Sequence, residues 1–223
     1  VGAKREAADW AGIVRRYGER NDLKYEAVGG INPKDGPVAL CVGGSNRLTG
    51  QLAEGFWGAS CDADEEEAGG LFGRAMLPTA VLAKAHMPDL AEVVPAFNVE
   101  SIEGHEVVTK RFARKVEFES IEFNKRFQAT VPSGYDPVGL RELFGPGFLA
   151  WTTTMTGEVD FGINDRQLWF LWRLRERSEE ELKQALKDAG ELFGRLHFEM
   201  DESGIHTYPP GPWHAGLEPF PDG

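Results

Sequence analysis

EVDFGINDRQLWFLWRLRERSEEELKQALKDAGELFGRLHFEM, residues 158–200, changes its hydrophobic period midway, and that change decides the fold class. Val159, Phe161 and Ile163 alternate with Asp160, Gly162 and Asn164. Asn164-Asp165 then supplies a turn, and residues 167–172 return with enough aromatic bulk to lie on a core, which is the pattern of a β-hairpin. Beyond residue 178 the spacing becomes helical, with Leu182, Ala185, Leu186, Ala189, Leu192, Phe193, Leu196 and Met200 on one stripe. Ser178 with Glu181 makes a capping box that starts this helix, and Gly204 ends it. A strand pair followed by a one-sided helix calls for packing of helices onto a sheet.

Working outward, residues 3–20 repeat Trp10, Ile13, Val14 and Tyr17 at helical spacing, opposite Arg15, Arg16, Glu19 and Arg20, and predict an amphipathic opening helix. Residues 23–28 alternate as a strand and end at the turn-forming Gly29-Gly30-Ile31-Asn32-Pro33. Residues 38–42 predict a short apolar strand, Gly43-Gly44-Ser45-Asn46 a hairpin turn, and residues 48–57 the partner strand. Further strands are expected at 79–84, 93–99, 106–112 and 115–131, in a stretch where Pro78, Pro88 and Pro95 disfavour long helices. Asp136-Pro137 predicts a helix start with Leu140, Leu143 and Phe144 inward, and Gly145-Pro146 closes it and opens a second short helix through Trp151. The expected architecture is therefore α+β: a mostly antiparallel sheet packed against an N-terminal helix, a pair of short helices and a long C-terminal helix. Residues 1–203 form one domain in this reading, and 204–223 a Pro/Gly-rich tail without periodicity.

Residues Glu119-Ser120-Ile121-Glu122-Phe123-Asn124-Lys125-Arg126-Phe127 have the form E-S-x-x-F-N-x-R-F. With the helix-like 136–155, the hairpin, the closing helix and the opening WAGIVRRYGERNDLKY of residues 10–25, this motif resembles a bacterial family of uncharacterised proteins best represented among actinobacteria. The resemblance covers most of the chain, more loosely over 32–104. It implies the fold and, since members often carry membrane helices ahead of the soluble part, leaves room for an anchor upstream of Val1. It supplies no catalytic residue and no ligand.

Read as a strand over 115–131, the motif places Ile121, Phe123 and Phe127 inward and leaves Glu122, Asn124 and Arg126 as a polar row. Those three are the candidate binding residues. Either the row recognises an anionic or amide group, or it is structural, with Arg126 on a carboxylate and Asn124 satisfying a turn; a polar face on a half-buried strand is the default. The runner-up site is metallic: His197, His206 and His214, near Glu199, Asp201 and Glu202, could offer two imidazoles and a carboxylate to a divalent ion. A tail without anchors does not preorganise such ligands, so no cofactor is expected. The loop at 43–50 lacks the Gly-Lys-Ser/Thr ending of a phosphate loop, and the acidic run at 62–67 lacks EF-hand spacing.

The 223 residues carry a formal net charge of −12, with 41% hydrophobic and 27% charged residues. Such an acidic chain is a poor partner for nucleic acid, which rewards a basic surface through counterion release, and its field repels anionic lipid. Cys41 lies in an apolar run and Cys61 beside carboxylates, so neither reads as an activated thiolate, and two cysteines make no disulfide framework. The sequence thus predicts a noncatalytic interaction or scaffold domain with a protein partner, in the cytosol or on the cytoplasmic face of a membrane. A metal-dependent or small-molecule enzyme using the C-terminal histidines is the alternative.

Overall fold

The computed structural model describes residues 2–28, 44–52, 55–63, 80–86, 90, 94, 96–102, 113–164 and 167–202. In chain order these form α1 (Gly2–Arg20), β1 (Lys24–Val28), β2 (Gly44–Leu52), β3 (Gly55–Ala63), β4 (Ala80–His86), β5 (Phe97–Ser101) and β6 (Ala113–Val116). There follow α2 (Ile121–Arg126), β7 (Phe127–Pro132), α3 (Val138–Leu143), α4 (Pro146–Thr152), β8 (Glu158–Asn164), β9 (Gln167–Arg173) and α5 (Glu179–Glu202). The predicted strand at 38–42 with Cys41, the predicted strand at 106–112, the acidic residues 64–67 and the tail with His206 and His214 lie outside the described residues.

The described strands make one nine-stranded sheet in the order β1-β2-β3-β4-β9-β8-β5-β7-β6. Every described pairing is antiparallel. Paired residues share a face, so the register builds rows across the sheet. One row runs Ala83, Phe170, Phe161, Val99, Ala129, Val116, all buried. The next joins Ala85, Leu168, Ile163 and Phe97. These residues belong to the same core as Trp10, Val14 and Tyr17 of α1, Leu140 and Leu143 of α3, Phe148 and Leu149 of α4, and the Leu182 to Met200 stripe of α5. The helices therefore cover one face, which we call the front. The α+β architecture expected from the sequence is the one observed.

The closing helix starts at the predicted capping box. Ser178 Oγ accepts from the Glu181 amide at 3.2 Å, and the Glu181 carboxylate accepts from the Arg175 amide at 2.9 Å rather than from Ser178 itself. The carboxyl arm of the capping box thus reaches one turn of loop further back and ties the end of β9 to α5. Small side chains help α5 lie close on the strands it contacts, β3, β4 and β9: Ala185 and Ala189 are fully buried, as is Ala83 of β4.

Three local expectations are corrected. Gly44, Ser45 and Asn46 lie inside β2 rather than in a turn, and the expected strand 48–57 is folded on itself, with Leu52 paired to Gly55. Asn46 adopts a left-handed φ of 57°, which asparagine tolerates better than most residues, and its side chain accepts the Tyr25 hydroxyl proton at 2.8 Å. The motif segment, expected as continuous strand over 115–131, is β6, a loop, the helical turn α2, and then β7.

Candidate functional site

Local hydrogen bonding explains why the motif turns helical. Ser120 sits extended (φ −78°, ψ 110°) and its hydroxyl accepts from the Phe123 amide at 3.2 Å, so it is the N-cap of α2. Glu122 falls in the first turn and Lys125 and Arg126 in the last, the charge order that suits the helix dipole. Phe123 and Phe127, four apart, point inward from a helix as readily as from a strand, so apolar spacing alone left the two conformations equal. Ile121, expected in the core, is 63% exposed because the helix turns it outward.

Asn124 holds the loop before the helix. Its Oδ1 accepts from the Phe118 amide at 3.1 Å and its Nδ2 donates to the Phe118 carbonyl at 2.6 Å, so the carboxamide satisfies both backbone groups of one residue. This fixes the Phe118 ring, which stacks on Phe144 with centroids 5.3 Å apart and meets Phe123 edge-on at 5.1 Å. Asn124 therefore performs the turn-satisfying role expected of it.

Arg126 spans to the other side of the corner. Nη1 donates to the Thr153 carbonyl at 2.7 Å, and Nη2 donates to the Gly157 carbonyl at 3.1 Å. Thr153 caps the C-terminus of α4, where carbonyls lack helical partners and a cation is favoured, so Arg126 fastens α4 and the start of β8 to the motif. Its guanidinium carbon lies 5.1 Å from the centre of the Phe127 ring, while Nε is buried without a hydrogen-bond partner. The expected carboxylate partner is replaced by two backbone oxygens. Beyond it, the Arg126 carbonyl accepts from the Ile102 amide at 2.9 Å and leads into the β5–β7 ladder.

The expected row of Glu122, Asn124 and Arg126 does not exist as a row. On the helix, Asn124 is turned to the Phe118 loop and Arg126 to the α4–β8 connection, while Glu122 stands exposed. His197 lies half-buried on α5; His206 and His214 fall outside the described residues. Among the described residues no three His, Cys, Asp or Glu side chains gather as a metal site. No described helix is long and apolar enough to cross a membrane.

The structure also assembles a polar pair that the sequence reading passed over. Asp160 and Arg173 meet at 2.7 Å on the rear of the sheet, with side chains 7% and 16% exposed, and Asp160 Oδ1 also accepts from the Ser101 amide at 2.9 Å. The signal was present in the hairpin: Asn164 pairs with Gln167, which sets Asp160 opposite Leu171 and diagonal to Arg173. Beside them Ala80, Leu82, Trp169 and Leu171 form a separate buried cluster. The Trp169 indole crosses Gly162, where a Cβ would come within 2.8 Å of the ring and 2.2 Å of the Phe97 carbonyl.

No family model and no curated protein matches the chain. Its fold is similar to that of the mycobacterial trehalose monomycolate transport factor A, TtfA, in the crystal structure of that protein. The TM-score is 0.56 over 91% of this chain and 98% of that chain, at 10% identity, so the likeness is one of fold.

Proposed function

We propose that the chain is a noncatalytic interaction domain that binds a protein partner through the outer surface of its helical layer. In this reading it belongs to the bacterial, mainly actinobacterial family that its motif resembles, and acts in the cytosol or on the cytoplasmic face of a membrane. The observation that carries the reading is the exposure of three large apolar side chains on that layer: Ile121 of α2 at 63%, Val138 of α3 at 49% and Phe198 of α5 at 60%. Scattered singly such residues need no explanation, but α2 contacts α4, and α3 and α4 both contact α5, so these three sit on adjoining elements. Asn124 and Arg126 act on the chain's own backbone, which leaves recognition to other residues.

The test is recovery of the partner from the source bacterium with the wild-type chain and with an Ile121→Asp, Phe198→Asp double variant. Both positions are exposed, so the unfolding free energy should stay within about 0.5 kcal/mol of wild type. Loss of a stoichiometric partner with the fold intact is expected; a partner retained by the variant would overturn the assignment of this surface.

A further inference from the structure

We draw no further inference here: the strongest candidate, the buried cluster of Ala80, Leu82, Trp169 and Leu171 on the rear face of the sheet, where the Trp169 indole N–H has no hydrogen-bond partner beside the Asp160–Arg173 pair, carries nothing because no described residue shows what covers it.

Discussion

The two faces of the central hairpin are buried to similar degrees by different means. On the front, Phe161 and Phe170 stand opposite each other, and Phe161 lies within 6.4 Å of the Phe97, Phe127, Phe144 and Phe148 rings, with helices packed above. On the rear, Leu171 faces Asp160, and the apolar cluster has four members among the described residues and is bordered by an ion pair. The front is held by ring-on-ring contact spread over many elements. The described part of the rear combines apolar side chains with charges that must stay paired once water is removed. A sheet with helices on one face can thus carry a separate hydrophobic cluster behind its central strands.

The sharpest way to break this contrast is to truncate one side chain on each face. Phe161→Ala removes a fully buried ring from the middle of the front cluster and should cost about 4 kcal/mol. Leu171→Ala, equally buried on the rear, should cost less, about 3 kcal/mol, because a leucine side chain leaves less volume empty than a phenylalanine ring. Denaturant midpoints of the two variants check the order. If Leu171→Ala leaves stability unchanged, the rear cluster is not a second core and the contrast collapses.

Arg126 tests how the front is fastened at its corner. Arg126→Met keeps an unbranched apolar side chain but removes both donors and the guanidinium over Phe127, leaving the Thr153 and Gly157 carbonyls without this partner; about 2 kcal/mol is expected. The loss should appear as faster amide exchange in α4 and at the start of β8, before any change in β4 or β9. Ser120→Ala removes the N-cap of α2 and should cost about 1 kcal/mol, with protection falling at the Phe123 amide. A larger loss for Ser120→Ala than for Arg126→Met would show that the motif stabilises itself and not the corner.

What could be read in advance follows the same division. The α5 stripe, the hairpin of β8 and β9 and the pair of short helices were legible because a single period ran long enough to exclude the alternative, and Pro137, Pro146 and Ser178 marked their starts. The motif was misread because inward residues four apart satisfy both periods, and what decides between them is a serine hydroxyl reaching an amide three residues on. Burial of Phe123 and Phe127 was correct under either conformation, whereas Ile121 was correct only as a strand. Asn124 was foreseen as a turn residue. Arg126 was expected to find a carboxylate, and its actual partners are main-chain carbonyls, which no sequence displays. The Asp160–Arg173 pair was within reach of register arithmetic. That it would be buried was not, because alternation within β8 predicts a solvent-facing Asp160.

The finest test compares two buried carboxylates. Asp160 lies against Arg173 and the Ser101 amide, whereas Asp188 of α5 is buried with the Gln184 amide donating to it at 2.6 Å. Burial raises the Asp188 carboxyl above its ordinary range; the Gln184 hydrogen bond opposes that rise, and Glu191 adds to it. The sign follows from linkage. Between the unfolded pKa and the raised folded one, the native state binds more protons than the unfolded state, so this group's contribution to stability falls as pH rises through that interval. Above the interval the penalty is complete, and below the unfolded value it is absent. Asp188→Asn keeps an oxygen for Gln184 and removes the charge, so the variant should melt higher than wild type at neutral pH, with the gain vanishing on acidification past the ordinary aspartate pKa. Asp160→Asn should do the reverse at neutral pH, because it leaves the Arg173 guanidinium without the charge it faces. Melting curves of both variants at pH 7 and at pH 3.5 decide it: if Asp188→Asn melts lower than wild type at pH 7, the carboxylate is held by a favourable partner and the two sites are alike.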